Sequence, residues 1–378
     1  MKMTRIMLII KLFALFASSS PYFFSTAYAQ SSQVKFDVHV LVNGLNHPWS
    51  MVFLPDGQIL LTERIGQLRI VSTDGKLSAP IKGVPAVFAE DQGGLLGLAL
   101  DPDFSKNHLI YFSYAESQAD KAGTVVARAK LVDMALENLQ VIFRQQPKTD
   151  GNKHFGSRLV FAPDGNLFVT LGERFKYMDQ AQQLDNHLGK LVRIRSDGSV
   201  PSDNPFVRDP RAKPEIWSYG HRHIQGAAIH PGTGELWIHE HGPRGGDEIN
   251  IPKPGKNYGW PLASYGIHYW MVPIKKEHAE RGFEEPIYYW TPSIAPSGMM
   301  FYQGNMFPEW KGNLFVGALA GKHLARLIVN GKNVLGDEKL LKDSARIRDV
   351  AAGPDGAIYL LTDEENGKLL RLTRATAP

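Results

Sequence analysis

Six copies of one short unit run through this chain, and they constrain its fold more than any other feature. Each copy is an apolar strand, a turn built on Pro-Asp-Gly or a near relative, and a second apolar strand. The copies span residues 51–62, 96–114, 159–170, 227–238, 298–316 and 350–362. Proline fixes φ at the first corner of such a turn, and Asp and Gly tolerate its geometry. The flanking segments are too short for helices and rich in β-forming residues. Further strands follow several copies, as at residues 67–71, 190–194 and 368–372. A short antiparallel sheet repeated six times is the signature of an all-β chain folded as a six-bladed β-propeller, in which radial packing covers the sheet faces. A β-sandwich or two unrelated β domains would not require one turn motif six times.

The spacing of the copies is uneven. A long insertion, from about His241 to Pro296, separates the fourth from the fifth and is rich in Gly, Pro and aromatic residues. Loops of that length in a compact fold are usually functional. No linker interrupts the repeats, so residues 30–378 are expected to form a single catalytic propeller domain.

The first 29 residues read as a signal peptide. Lys2, Arg5 and Lys11 give a basic start, Met7 to Phe16 is an apolar run, and Ala27 and Ala29 flank Tyr28 in an A-x-A cleavage pattern. The run is short for a bilayer span, and no stop-transfer pattern follows it. Cleavage after Ala29 would deliver the chain to a periplasm or to the outside, with no membrane span in the mature protein. The full sequence carries 42 Lys and Arg against 38 Asp and Glu; without the three basic residues of the leader the balance is 39 to 38, or +1. That is no basic footprint for nucleic acid. The absence of cysteine excludes disulfides, thiolate metal sites, cysteine nucleophiles and covalent c-type haem.

Between the strands lie Asp-Gln-Gly-Gly-Leu-Leu (91–96), Trp-Ser-Tyr-Gly-His-Arg (217–222), Gly-Pro-Arg-Gly-Gly-Asp-Glu-Ile-Asn (242–250), Asn-Tyr-Gly-Trp-Pro (257–261) and Arg-Ile-Arg-Asp-Val (346–350). Together, in this order along the mature chain, they resemble the soluble aldose sugar dehydrogenases that depend on pyrroloquinoline quinone (PQQ), a family related to the soluble quinoprotein glucose dehydrogenases. The resemblance implies a calcium-dependent quinoprotein with PQQ on the propeller axis. It would oxidise an aldose at the anomeric carbon to the lactone and pass the electrons to an external acceptor.

Residue by residue, the resemblance makes His154 the general base for the anomeric hydroxyl. On the residues alone it reads more readily as a histidine packed at a strand start. Gln92, Arg222, His223, Tyr269, Ala318, Leu319, Ala320, Arg346 and Arg348 match cofactor-binding positions. Arginine's planar fork suits a ligand with three carboxylates. Arg346 and Arg348, two apart on a strand, would share a face; the bland reading is two solvated arginines on an edge. Gly242 and Pro243 match a calcium site made of backbone carbonyls. Glu248 and Tyr258 match a second, where an ordinary acidic turn is the alternative.

Three positions depart from the family pattern. Lys153 stands where Asn or Asp often precedes the histidine, and it would either depress the histidine's pKa or point to solvent. His223 replaces an asparagine. Ala320 replaces a lysine, with Lys322 the nearest substitute. These departures keep open a non-catalytic binding propeller derived from such an enzyme. A calcium-dependent lactonase-like hydrolase is a further alternative, which the arginine cluster disfavours. No Gly-rich phosphate loop opens a helix, no Gly-x-Ser-x-Gly elbow occurs, and His239-Glu240-His241 reads as the end of a blade strand rather than a zinc site.

Overall fold

The computed structural model describes residues 34–375; the expected leader, residues 1–29, lies outside them. Six antiparallel sheets follow one another along the chain as the blades of a propeller. Blade 1 is Pro48–Phe53, Ile59–Glu63 and Gln67–Val71. Blade 2 is Leu95–Leu100, Leu109–Gln118, Lys121–Val132 and Ala135–Arg144. Blade 3 runs from Leu159–Phe161 through Leu167–Thr170 and Lys190–Ile194 to Ile216–Tyr219. Blade 4 is Ile224–Ile229, Leu236–Glu240, Asp247–Asn250 and Tyr288–Trp290. Blade 5 is Pro296–Phe301, Leu314–Ala318, His323–Asn330 and Asn333–Leu340. Blade 6 takes Ile347–Ala352, Ile358–Thr362 and Gly367–Arg374, and its outer strand is Phe36–Leu45 from the other end of the chain. Phe36 pairs with Arg374 and Leu45 with Gly367, so the two ends of the described chain close the ring.

The repeated turn does what its residues dictate. In blades 1, 3 and 6 the carboxylates of Asp56, Asp164 and Asp355 each accept the backbone N–H two residues on, at 3.0, 3.0 and 3.1 Å. Gly57, Gly165 and Gly356 follow with φ of 86°, 79° and 80°, left-handed values that favour glycine. A short helix, Phe104–Asn107, replaces the turn in blade 2, and a 3-10 turn, Pro308–Trp310, stands there in blade 5.

Apolar side chains pack between blades rather than in one centre. One cluster joins Leu54, Leu60 and Leu68 of blade 1 to Leu98, Ile110 and Phe112 of blade 2, and others join blades 2 and 3, 3 and 4, 4 and 5, and 6 and 1. The axis is polar. Fully buried Arg158 donates to Asp349 Oδ1 at 3.0 Å, to Ser50 Oγ at 3.2 Å and to the Gln225 carbonyl at 3.3 Å. One guanidinium thereby ties together blades 1, 3, 4 and 6.

The interval from His241 to Pro296 is not a pure insertion. It supplies the two outer strands of blade 4, and the excursion proper is residues 251–287. That segment returns to the propeller end where the second strands finish: Ile267 bridges Arg244, and Tyr258 N donates to Tyr219 O at 2.9 Å. Among the described residues no helix is long and apolar enough to cross a membrane.

Candidate functional site

Second strands end and innermost strands begin at the same end of every blade, and the residues singled out in the sequence collect there. His154 precedes the inner strand of blade 3, with φ of 56°. It is 4% exposed, and its Nδ1 stands 3.2 Å from Glu173 Oε1. Its backbone N–H donates to Gln92 Oε1 at 2.8 Å, so the loop ahead of blade 2 holds the histidine in place. The ring stacks on His223, centroids 4.5 Å apart, and meets the edge of Phe175 at 5.2 Å. Burial, then the charge of Arg222, hold the His154 pKa well below its usual 6.5, so the ring is neutral. Lys153 depresses it less than Arg222, His241 and Arg174 do; its ammonium lies 3.8 Å from Asp91 and over the Phe175 ring. Burial pushes the Glu173 carboxyl up to about 7, with Arg222 and Arg174 opposing.

Arg222 reaches across the loop that follows blade 4's second strand. Its Nη1 donates to the carbonyls of His241 and Gly242 at 3.0 and 2.9 Å, and its Nη2 to Tyr269 OH at 3.2 Å. Tyr269, half-exposed, belongs to the 251–287 excursion. Arg348 is buried and Arg346 partly exposed, and both forks close on Asp363, at 2.7 and 3.2 Å. Arg348 lies on Ile347–Ala352, the innermost strand and axial edge of blade 6, and Arg346 just precedes it; a register shift between Ile347 and Asp349 separates them, and they meet at Asp363. Ala318 and Leu319 are buried and Ala320 is exposed. The N–H groups of Leu319 and Ala320 are bonded to Ala295 O and Ile294 O, so this stretch presents no charge. Lys322 is exposed.

A small cavity of about 10 Å³, the room of one water or one ion, is lined by Arg222, Glu240, Gly242, Glu248, Tyr258 and Ser264 among others. It brings three of the four expected metal residues together, and Pro243 follows Gly242 in the chain. Glu240 is already satisfied, by His221 Nδ1 at 2.8 Å and Arg222 N at 2.6 Å. Glu248 is pushed well above the usual carboxylate range by burial and by the neighbouring Glu240. A hard cation fits a cavity of oxygen donors with an uncompensated carboxylate. Among the described residues no three His, Cys, Asp or Glu side chains converge on a metal site, so an ion here would depend on backbone carbonyls. Asp247 serves the loop instead: it accepts Gly242 N at 2.9 Å, Ser293 Oγ at 2.6 Å, and Ile294 N and Ala295 N at 2.7 and 2.9 Å.

Buried nitrogens at this end lack partners: Nε of Arg64, Arg222 and Arg348, and Nδ1 of His223. Such a set fits a polar, anionic ligand, since buried donors left unpaired are costly. Sequence reasoning missed Glu173, Glu240 and Asp363. A signal existed: in four repeats an acid stands at or just past the end of the second strand, at Glu63, Glu173, Glu240 and Asp363, and all four are buried.

Residues 45–371 match the family model described as glucose/sorbosone dehydrogenase. The aldose sugar dehydrogenase of Escherichia coli K12 is 48% identical over 344 residues, 89% of this chain and 92% of that one. A crystal structure of a glucose dehydrogenase superposes with a TM-score of 0.87 at 51% identity, covering 90% of this chain and 100% of that one. The PQQ-bound form of the aldose sugar dehydrogenase from Streptomyces coelicolor superposes with a TM-score of 0.71 at 27% identity, over 90% and 99% of the two chains.

Proposed function

The chain belongs to the glucose/sorbosone dehydrogenase family, and we propose that it oxidises aldoses at the anomeric carbon to the lactone, using PQQ and calcium. The observation that carries this reading is a buried, neutral histidine at the same end of the propeller as three buried arginine Nε atoms without partners, those of Arg64, Arg222 and Arg348. When bound, PQQ supplies the hydride acceptor and calcium polarises the carbonyl that takes the hydride.

The side chains divide the remaining tasks. Arg346 and Arg348, steadied by Asp363, offer forks to carboxylates. Arg222, His223, Tyr269 and the NH₂ end of Gln92 would contact the cofactor, and Ala318, Leu319 and Ala320 would border it by backbone and uncharged side chains. Gly242 O already accepts from Arg222, but a carbonyl has two lone pairs and can also serve a cation, with Pro243 O beside it. Glu248 and the Tyr258 carbonyl would hold a second calcium. His154 takes the proton of the anomeric hydroxyl at Nε2. Ionised Glu173 draws the other ring proton to Nδ1 and so keeps Nε2 free to accept. The leader directs export, and the electrons leave through an external acceptor.

Reconstituting the purified mature chain with PQQ and calcium, and following dye reduction with a panel of aldoses, tests this. The expected result is PQQ-dependent turnover, lost in EDTA and reduced on the order of 10²- to 10⁴-fold in His154→Ala. One observation favours a non-catalytic binding propeller: the uncharged, exposed Ala320. Failure to bind PQQ would give that reading the lead. PQQ-independent, calcium-dependent lactone hydrolysis would favour the hydrolase.

A further inference from the structure

Blade 1 carries none of the residues that the resemblance implies, yet Arg64 stands at its end of the same ring. It follows the strand Ile59–Glu63, and its backbone is fixed on both sides: Arg64 N donates to His47 O, and Leu95 N to Arg64 O, each at 3.1 Å. The side chain donates through Nη1 to the Asp91 carbonyl, next to Gln92, whose own oxygen holds His154. The charges acting on the guanidinium are Asp363, Arg348, Asp91 and Arg346. Three guanidiniums therefore surround one carboxylate, Asp363, and Lys153 offsets Asp91. Four cationic groups against two anionic ones leave this sector with an excess of positive charge.

The matching arginine of blade 3 provides an internal control. Arg174, like Arg64, follows a buried glutamate, and it clamps the loop that enters its own blade with both Nη atoms, on Lys153 O and Gly151 O. It is fully buried, and its guanidinium lies over the Phe155 ring at 3.6 Å. Arg64 is half-buried and commits only Nη1; its Nε is buried without a partner, and among the described residues Nη2 has no hydrogen bond. A loop clamp needs the first bond and explains nothing about the other two donors, which form one edge of the fork. A carboxylate fits that edge with two parallel N–H bonds.

We propose that Arg64 is a cofactor-binding residue, taking a carboxylate of the anionic quinone cofactor on its free edge between Gln92 and Arg348. The inference rests on the proposed function. The test is PQQ affinity of the ligand-free protein in calcium, read by fluorescence quenching, for wild type, Arg64→Gln and Arg64→Lys, with thermal melts as the control for folding. Loss of a charged two-bond contact is expected to weaken binding on the order of 10- to 100-fold in Arg64→Gln. Arg64→Lys, which keeps the charge without the fork, should fall between and stay folded. Folded Arg64→Gln with wild-type affinity, or, if that variant unfolds, Arg64→Lys with wild-type affinity and an unchanged salt dependence, overturns the inference alone. No PQQ binding by the wild type overturns both this inference and the function it rests on.

Discussion

In the proposed reaction His154 and Glu173, 3.2 Å apart and both buried, would set the proton chemistry. Their titration belongs to the pair. On acidification Glu173 protonates first, because burial holds its carboxyl at about 7 while the histidine's pKa is held well below 6.5. A protonated Glu173 no longer draws the ring proton to Nδ1, and Nε2 stops being the free base. The kcat/KM of the PQQ-loaded enzyme should therefore fall as pH drops through about 7. Glu173→Gln removes that titration. It should be slower, by about 10- to 100-fold, yet level with pH to below 6.5. An acid limb near 7 that survives in Glu173→Gln would show that another group titrates. His154 was legible in the sequence only through the motifs around it, since nothing local separates it from the chain's other 12 histidines. Glu173 was not found, because only the acid repeated past the second strands marks it, and its contact with His154 joins two loops that no local pattern pairs.

The Asp-Gln-Gly-Gly turn is the element that joins blade 1 to His154. A Cβ on Gly94, at φ of 131°, would lie 2.1 Å from the Arg64 carbonyl oxygen, and one on Gly93 would lie 2.3 Å from Phe88 O. Both glycines are there for close backbone approach. Gly94→Ala is expected to cost about 2–4 kcal/mol and to weaken PQQ binding as well, because Gln92 and Arg64 shift with the turn. Urea unfolding and quinone titration of the same protein measure the two effects; full stability and unaltered binding would show that the turn yields. At this scale the sequence was most informative. The Pro-Asp-Gly copies fold as read because proline, the Asx bond and the left-handed glycine are all local. The stretch between His241 and Pro296 was misjudged as insertion because Asp247–Asn250 and Tyr288–Trp290 are short strands without the turn motif that marks the others.

On the scale of the molecule, the ring gives each blade one sector of a shared end: Arg64, Gln92, His154, Arg222, Leu319 and Arg348 in turn. The Arg158–Asp349 clasp at the axis and the Phe36–Leu45 strand at the rim hold those sectors in register. Blade number and order could be read from six copies of one turn. The axial clasp could not, since it joins residues 191 positions apart. The central claim is that this ring presents a bound quinone to an aldose beside His154. It is tested most directly by a single turnover without dye: protein loaded with PQQ and calcium is mixed with glucose carrying deuterium at the anomeric carbon, and reduction of the bound cofactor is followed by absorbance. Lactone should form in step with cofactor reduction, at a rate slowed by the deuterium, with near-complete loss of the reaction in His154→Ala. Lactone without cofactor reduction, or reduction at an unchanged rate in His154→Ala, would contradict that claim.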